Sequence, residues 1–421
     1  MAKVYYADLW GLREGKYKSL TEADLTITGW VELKPNSPSY LFIPQDESLR
    51  SEYEKDWKVT DIFRVNSVGV VTSRDKFVLD FDEHSLRKRI EEFRGTSSSD
   101  EEIRNKYVLD DNKGWNVANA RAEIRKDNNY QKAFSEILYR PFDSRPLFYH
   151  EAVIERSRSE VMRHMLAGKN WGLISARSNK SPEMNHFFCS RFIMETKCGE
   201  STTQSCLFPL YLYTPEGELE IDGGQRRPNL SPEFIKTFSE KMSMKFIEDG
   251  KGDLAETFGP EDVFSYAYAV FHSPTYRTRY SEFLKMDFPR LPLTSDKQLF
   301  MSLAEKGAEL VSLHLMESPA LNHIIINYPV AGSNIVEKVT YAENNQRVYI
   351  NKTQYFEGIA PEIWNFHIGG YQVCQKWLKD RKGRTLTYDD ITHYQKVVVA
   401  LKETLRLMAD VDALIPTWPL Q

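Results

Sequence analysis

The sequence predicts an α+β fold with mixed sheets, flanking helices and a helix-rich C-terminal part. Short apolar runs bounded by proline and glycine, which are typical of strands, are interspersed with amphipathic stretches that are typical of helices. Long helical patterns dominate the last third of the chain. No repeat with a period of about 20–50 residues is visible, which argues against solenoids and propellers.

The length and composition fit a folded protein of several domains. The chain has 421 residues, of which 41% are hydrophobic, 13% aromatic and 27% charged. At roughly 150 residues per domain, this length allows two or three domains that each bury a core. We expect an α/β region at 1–150, an α+β region at 151–290, and a helical region with a β-hairpin at 291–421.

Region 1–150 mixes both kinds of element. The segment 76–82 alternates apolar and polar residues with a period of two, as a half-buried strand does. Gly95 follows a helical pattern and is expected to end that helix. The predicted helices are 12–23, 83–94 and 115–126, and the predicted strands are 26–33, 40–43, 76–82, 134–139 and 147–149.

Region 151–290 carries continuous apolar runs, which predict buried strands. A polar segment with two glycines, 214–232, predicts a hairpin tip or a mobile loop. The predicted helices are 156–167, 233–244, 260–271 and 275–286, and the predicted strands are 171–175, 186–189 and 207–213.

Region 291–421 begins and ends with helical patterns. The segments 336–341 and 347–352 are joined by Glu343-Asn-Asn-Gln and predict a hairpin. The predicted helices are 296–315, 370–379 and 389–410.

Two observations indicate a soluble, cytoplasmic protein. The four cysteines are too few and too scattered for a disulfide scaffold, which favours a reducing compartment. The longest uncharged apolar stretch, 207–213, is far shorter than the roughly 20 residues that a membrane-spanning helix needs. We therefore expect no membrane partner.

Recognisable catalytic motifs are missing. The chain has no glycine-rich phosphate loop, no G-x-S-x-G elbow and no H-E-x-x-H sequence. The spacings of Cys189, Cys198 and Cys206 do not match a zinc site, and His164 and His367 are best explained as structural residues. We expect no catalytic residue, no metal and no cofactor in this chain.

One weak pattern points to a metal-dependent nuclease. Asp24, Glu32 and Lys34 have the D…E-x-K order of such enzymes, and Glu32 and Lys34 would share one strand face. A solvated strand face shows the same alternation of charges, and we favour that explanation.

Several segments, in order along nearly the whole chain, carry a resemblance to a known family. They are 6–17, 61–69 with Ser73-Arg-Asp-Lys76 shortly after, 137–145, 160–166, 207–211, 273–280 and 283–292. Together they resemble the C-terminal target recognition (specificity) region of type ISP restriction-modification enzymes, which are adenine-specific DNA methyltransferase polypeptides.

The resemblance implies a recognition module of a longer enzyme. In that family one polypeptide joins a nuclease, a translocase, an N6-adenine methyltransferase and a specificity domain. This chain contains no Asn-Pro-Pro, which the methyltransferase motif requires. The resemblance therefore implies that 1–150 is a linker region after an absent methyltransferase core and that 151–290 recognises DNA. It also implies that S-adenosylmethionine binds the adjoining methyltransferase domain.

Charge is segregated along the chain in a way that allows DNA binding. The overall net charge is −5. Twelve basic residues oppose seven acidic ones in 121–180, and eight oppose four in 371–408, whereas twelve acidic residues oppose six basic ones in 201–270. The first two segments are candidates to face phosphates, and the third is expected to face away from them.

Three groups of residues are candidates for DNA contact. The first lies at a predicted helix start, the second in a loop of small polar residues, and the third in a motif that places an aromatic residue among bases. The candidates are Arg156, Arg158 and Arg163; Arg177, Asn179 and Lys180; and Tyr276, Arg277 and Arg279.

Structural roles are open alternatives for these residues. Arg156 and Arg158 are also placed to pair with Glu155 and Glu160. Arg277 and Arg279 are also placed to form a clamp against Asp287.

Two hypotheses follow for the function. In the first, the chain recognises a sequence in double-stranded DNA and positions an adenine for methylation by a separate methyltransferase domain. In the second, it is a scaffold that joins methyltransferase and translocase parts of the same enzyme, and DNA contact is incidental. Trp10, Trp30 and Trp57 in the charge-balanced N-terminal region suit the second hypothesis.

Overall fold

We describe the fold from a computed structural model that covers residues 2–37, 40–181, 183–214 and 226–420. The chain forms two compact units, an N-terminal unit (Met1–Ser51) and a main unit (Glu52–Gln421). The α+β class is confirmed, because the described residues form helices and several small sheets. The expected division at about residues 150 and 290 stays a prediction.

The α-helices of the described residues are α1 (Arg13–Glu22), α2 (Arg50–Tyr53), α3 (Val59–Ile62), α4 (Asp75–Val78), α5 (Glu83–Arg94), α6 (Asp100–Tyr107), α7 (Val117–Lys126), α8 (Ser159–Leu166), α9 (Pro232–Met242), α10 (Pro260–His272), α11 (Pro274–Arg279), α12 (Ser281–Leu284), α13 (Lys297–His314), α14 (Pro361–Trp364), α15 (Val373–Lys379) and α16 (Tyr388–Leu414). Short 3₁₀ turns occupy Tyr130–Ala133, Pro319–Asn322 and Glu343–Asn345.

The strands are β1 (Val4–Tyr6), β2 (Val31–Leu33), β3 (Trp57–Lys58), β4 (Ser67–Val68), β5 (Phe134–Arg140), β6 (Asp143–Phe148), β7 (Gly172–Ala176), β8 (Phe188–Ser190), β9 (Ile193–Met194), β10 (Ser205–Pro209), β11 (Tyr211–Tyr213), β12 (Arg226–Pro228), β13 (Lys245–Phe246), β14 (Thr257–Phe258), β15 (Arg290–Leu291), β16 (Thr340–Ala342), β17 (Arg347–Tyr349), β18 (Tyr355–Glu357), β19 (His367–Ile368) and β20 (Tyr371–Gln372).

The N-terminal unit is a two-stranded antiparallel sheet with one helix. β1 pairs with β2, and α1 confirms the predicted helix. The predicted strand 26–33 is shorter than expected, because Asp24 Oδ1 accepts the backbone N–H groups of Thr26 and Ile27 and holds a turn there. The predicted strand 40–43 is wrong, since those residues form no ladder.

A four-stranded antiparallel sheet lies at the centre of the main unit, in the order β4-β10-β7-β8. Leu207 pairs with Ile174, and Leu173 pairs with Cys189. Every residue of β7, β8 and β10 is buried. Both faces of this sheet are therefore covered, which explains the continuous apolar runs in the sequence.

A second sheet has the order β6-β5-β9, with β5 and β6 antiparallel. The predicted strands 134–139 and 147–149 are thus confirmed, although β6 begins earlier, at Asp143. The predicted strand 76–82 is wrong. Phe77 and Val78 are both buried in α4, and the backbone N–H of Leu79 donates to the Asp75 carbonyl, so consecutive side chains do not alternate between two faces.

The helical core brings together α10, α13 and α16. α10 is buried along almost its whole length, and α13 lies so close that a Cβ at Gly307 would overlap the backbone of Ser265. The predicted helix 275–286 is interrupted at Tyr280, where α11 ends and α12 begins. The predicted hairpin is confirmed as β16 and β17, and β18 extends it to three strands.

Two further predictions concern the polar loop 214–232 and the four cysteines. Residues 215–225 of the predicted loop 214–232 lie outside the described residues, while the flanking β11 and β12 pair with each other. All four cysteines are free and buried. Within the described ranges, none of the helices has the length and apolar character needed to span a bilayer.

Candidate nucleic-acid interface

Three loops from distant parts of the chain meet beside the central sheet. They comprise residues 177–181 with 183–186, residues 199–204, and residues 365–370, and we call them the loop cluster. The Thr203 hydroxyl donates to the Ser178 carbonyl at 2.7 Å, and the Gly369 N–H donates to the Asn185 carbonyl at 2.7 Å. Asn185 also donates its side-chain amide to the His367 carbonyl. The loops are thus joined by backbone and side-chain hydrogen bonds.

Glu200 is the buried centre of the loop cluster, with no exposed surface. Its carboxylate accepts the backbone N–H and the hydroxyl of Thr202, each at 2.8 Å, and the Ser181 hydroxyl at 3.4 Å. Gly369 has a φ of +53° and packs so tightly that a Cβ there would overlap the Gly199 carbonyl. The 199–204 loop is therefore held between the other two loops.

Arg277 contacts the loop cluster from the protein interior. Its guanidinium is buried and donates to the Asn185 side-chain oxygen and, at 2.6 Å, to the Phe271 carbonyl. Burial lowers the pKa of Arg277 to about 9, and burial also lowers the pKa of His186 and His314, each to about 3. His186 within the first loop and His314 at the end of α13 are therefore both neutral at pH 7.

Three cations lie on or next to the loop cluster and reach solvent. The Arg177 side chain is 74% exposed, and its Nε lies 3.5 Å from Asp287 Oδ1. Lys180 and Lys197 are exposed and form no ion pair with the rest of the described chain. The backbone near Lys197 is fixed, because its carbonyl accepts the Tyr371 hydroxyl at 2.8 Å. This arrangement presents positive charge on a hydrogen-bonded polar base.

Asn179, in contrast, is buried within the first loop. Its side-chain amide donates to the Glu183 carbonyl at 2.9 Å and contacts His186 Nδ1 at 3.0 Å, and its oxygen accepts the Ser181 N–H. All its hydrogen-bonding groups are therefore engaged inside the protein. In this structure Asn179 shapes the loop that displays Arg177 and Lys180.

The first candidate group lies around the start of α8. The predicted helix start at 156 is wrong by three residues, because the Arg156 backbone pairs with Val71 and Arg158 adopts a left-handed conformation with φ 57°. The side chains of Arg156 and Arg163 are exposed, and that of Arg158 is half-buried. Glu155 pairs with Arg74 at 3.4 Å and not with Arg156.

The polar groups of the third candidate group bind other parts of the main unit. Tyr276 is buried and donates its hydroxyl to the Arg290 carbonyl at 2.6 Å. Arg279 binds Glu52 in a bidentate manner, with both N–O distances at 2.8 Å. Asp287, which the sequence placed as the partner of Arg277 and Arg279, pairs instead with Lys58 at 2.6 Å.

Lys197 was missed by the sequence reasoning. It precedes Gly199 and the small polar run Ser201-Thr-Thr-Gln204, which has the same character as the 177–181 loop. Both loops follow apolar strands, and their similarity could have identified Lys197 from the sequence. The contact of both loops with 365–370 had no signal in the sequence.

The nuclease pattern does not form a site. Asp24 caps its own turn, and Glu32 pairs with Lys3 at 3.2 Å on an exposed strand. Across the described ranges, His, Cys, Asp and Glu side chains form no group of three suited to a metal ion.

Residues 61–410 match the family model of the type ISP C-terminal specificity domain. Comparison with curated proteins finds no match. A nuclease-deletion mutant of the type ISP restriction-modification enzyme LlaGI in complex with a DNA substrate mimic has a TM-score of 0.68 and 19% identity, and the match covers 100% of this chain and 33% of that chain.

Two further solved structures share the fold. A DrdV–DNA complex determined by cryo-EM has a TM-score of 0.72 and 19% identity, and the match covers 97% of this chain and 43% of that chain. The ATP-dependent type ISP restriction-modification enzyme LlaBIII bound to DNA has a TM-score of 0.67 and 16% identity, with coverages of 96% and 26%. The chain thus spans less than half the length of each of these three proteins.

Proposed function

Because the chain belongs to the type ISP C-terminal specificity domain family, we propose that it recognises a short sequence in double-stranded DNA. We further propose that it holds the duplex so that a separate methyltransferase domain can modify an adenine. Methylating enzymes reach their target base by extruding it from the stack, which requires the flanking duplex to be held in a fixed position.

One observation carries this proposal: a hydrogen-bonded polar cluster of three loops displays Arg177, Lys180 and Lys197 on its surface. An exposed arginine presents a planar pair of donors that matches O6 and N7 of guanine in the major groove. Lysines act as point charges for phosphates. The cluster therefore combines a candidate base reader with candidate phosphate ligands.

The exposed arginines near α8 extend the proposed surface. Arg156 and Arg163 are exposed, and no acidic partner neutralises them within the described residues. We assign them, with the half-buried Arg158, to phosphate contact. We assign Asn179 and Arg277 to support of the loops, and Tyr276 and Arg279 to packing elsewhere in the main unit, since their polar groups bind protein atoms.

The chain itself is proposed to carry recognition and no catalysis. S-adenosylmethionine and the target adenine would be bound by the adjoining methyltransferase domain. We also propose that the protein acts in the cytoplasm as part of a restriction-modification enzyme.

Selection of bound sequences from a random duplex pool by the full chain tests the recognition proposal. We expect a short, asymmetric motif to be enriched, with an affinity that falls as salt rises. The selection is repeated with the complete enzyme, in case the methyltransferase part is needed to clamp DNA. Absence of salt-sensitive duplex binding in both experiments would contradict DNA recognition and favour the scaffold hypothesis.

A further inference from the structure

The end of α15 and the turn that follows it are rich in positive charge. Residues 376–384 contain five Lys and Arg residues and one acidic residue, Asp380. Lys376 pairs with Asp380 at 2.5 Å, and Arg381 is buried against Asp143 at 3.0 Å. The other three basic residues form no ion pair with the described part of the chain: Lys379, Lys382 and Arg384. This segment therefore carries uncompensated positive charge.

Arg384 lies against an aromatic ring that two other arginines also contact. Its guanidinium carbon is 4.2 Å from the centre of the Phe81 ring, and those of Arg145 and Arg381 are 4.2 and 4.8 Å from the same centre. Three like charges around one ring repel one another. Asp143 pairs with Arg145 and Arg381 but not with Arg384. An anion bound at Arg384 would therefore offset this repulsion.

The backbone of the turn is fixed although its side chains reach solvent. The Gly383 N–H donates to the Val336 carbonyl at 2.7 Å, and the Val336 N–H donates to the Arg384 carbonyl at 2.9 Å. Lys382 is exposed, Arg384 is half-buried, and no atom lies within 4 Å of the Cβ position at Gly383. The turn thus presents its cations beside open space, and binding an anion there needs little reordering of the chain.

A path of contacts connects the turn with the loop cluster. The Tyr371 hydroxyl donates to the Lys197 carbonyl, and the Lys376 ammonium lies 5.8 Å from the centre of the Tyr371 ring. Lys376 binds Asp380, which also accepts from Arg145 at 3.3 Å beside the Phe81 ring. The seven residues of α15, which span about 10 Å, lie between the loop cluster and the turn. That length corresponds to roughly three steps of 3.4 Å along a DNA strand.

The residues of the turn suit phosphates better than bases. Lysine recognises a phosphate as a point charge, whatever the sequence of the duplex. Residues 379–384 contain no Asn or Gln, the residue types that pair with adenine edges. Arg384 already lies against a protein ring, so its guanidinium is positioned from within the protein.

We propose that residues 379–384 form a second DNA-contacting surface, which binds backbone phosphates a few base pairs to one side of the recognised sequence. This inference rests on the proposed function and extends it. The loop cluster reads the sequence, while the second surface fixes the direction in which the duplex leaves it. Contacts to phosphates fix register and orientation and carry no sequence information of their own.

Equilibrium titration of the full chain with a duplex that extends beyond the selected motif on both sides tests this proposal. The variant K382Q/R384Q should weaken binding roughly tenfold and lower the slope of log affinity against log salt by about two, for duplexes with and without the motif. The matched control, K236Q/K245Q, removes two exposed charges from the acidic segment 201–270. It should leave both quantities unchanged.

A second variant separates charge from packing. Gln at position 384 removes a contact with Phe81, whereas K379Q/K382Q removes two exposed charges and leaves that contact in place. We expect K379Q/K382Q to unfold at the wild-type temperature and to lower the salt slope by about two. A wild-type salt slope for K379Q/K382Q would overturn the proposal, whatever K382Q/R384Q shows.

Hydroxyl-radical footprinting distinguishes failure of this proposal from failure of the proposed function. The wild type should protect the motif and a few base pairs on one side of it, and K382Q/R384Q should lose only the protection outside the motif. Protection confined to the motif in the wild type would overturn the second surface and leave recognition intact. If the wild type shows no salt-sensitive duplex binding, recognition itself fails, and the second surface fails with it.

Discussion

Arg381 and Asp143 are 238 residues apart in the chain, and their side chains form a buried ion pair in which Nη2 lies 3.0 Å from Oδ1. Arg145 donates to the other carboxylate oxygen of Asp143 at 2.6 Å. Both guanidinium groups also lie within 5 Å of the Phe81 ring centre, at 4.2 Å for Arg145 and 4.8 Å for Arg381. One carboxylate thus joins the β5–β6 hairpin to the segment between α15 and α16.

Replacing Asp143 by Asn should destabilise the protein strongly. The substitution removes the buried carboxylate shared by two guanidinium groups, which keep only the longer ion pairs of Arg145 with Asp380 at 3.3 Å and of Arg381 with Asp390 at 3.5 Å. Breaking a buried pair in this way costs about 3–5 kcal/mol. The free energy of unfolding is measured by urea denaturation. As a control, Glu240→Gln removes an exposed partner of Lys236 at 3.9 Å and should change the free energy of unfolding by less than about 0.5 kcal/mol. Equal effects of the two substitutions would contradict the assigned role.

Asp143 also makes the free energy of unfolding depend on pH, in a direction that its pKa determines. Burial raises the pKa of Asp143, but Arg381 and Arg145 outweigh it, so the folded-state pKa lies below the ordinary value of 3.8. The stabilisation is therefore fully present above about pH 4 and is lost as the pH falls through the folded-state value. Acid unfolding of the wild type should be steeper than that of Asp143→Asn.

Asp56 should give the opposite pH dependence. Burial and the nearby Glu52 raise its pKa to about 7, against the lowering effects of Arg290 and Lys241. The folded state then holds a proton that the unfolded state releases above about pH 4, so this site destabilises the protein progressively from pH 4 to pH 7. Asp56→Asn should be more stable than the wild type at pH 8 by on the order of 3 kcal/mol, with little difference at pH 4. A constant difference between these two pH values in thermal or urea unfolding would contradict this.

Arginine and lysine substitutions on the proposed DNA surface should affect DNA binding in different ways. Arg177→Ala should relax the preference at one base pair, by about 1–3 kcal/mol of discrimination. Lys180→Ala and Arg158→Ala should weaken binding to all sequences about equally and reduce the slope of log affinity against log salt by about one each. Equilibrium titration at several salt concentrations measures both effects.

Lys236→Ala provides the matched control for these variants, because Lys236 is exposed on α9 in the acidic part of the chain. It should leave both affinity and salt slope unchanged. If Arg177→Ala and Lys180→Ala behave like this control at low salt, the DNA surface lies elsewhere on the molecule.

Gly307→Ala should destabilise the helical core. The added Cβ would overlap the Ser265 backbone and force α10 and α13 apart, which costs about 1–3 kcal/mol or more. Gly15→Ala in α1 is the control, because no atom lies within 4 Å of the Cβ position there. Differential scanning calorimetry should show a lower melting temperature for the first variant only.

Helices with strong local signals could be predicted from the sequence. The predicted helix 83–94 coincides with α5, where the Asp82 carboxylate caps the Ser85 N–H and Gly95 follows the last helical residue. The strand predicted at 76–82 failed, since tertiary contacts bury Phe77 and Val78 together in α4. The alternation of apolar and polar residues over these seven positions therefore did not determine the secondary structure.

The candidate site could be predicted only in part. The exposure of Arg177 and Lys180 was foreseeable, because small polar residues surround them in the sequence. The bidentate pairing of Arg279 with Glu52 spans 227 residues, and the bond between Arg277 and Asn185 spans 92. No local pattern encodes partners at such separations, so buried and exposed arginines look alike in the sequence.

The order in which the three loops are made has a consequence for synthesis. The first loop ends at residue 186 and the last at residue 370, so 184 residues must leave the ribosome between them. At about 5–20 residues per second, this takes roughly 10–40 seconds. During that interval the nascent chain holds Asn185 without its His367 and Gly369 partners. The loop cluster therefore forms only after residue 370 has been translated.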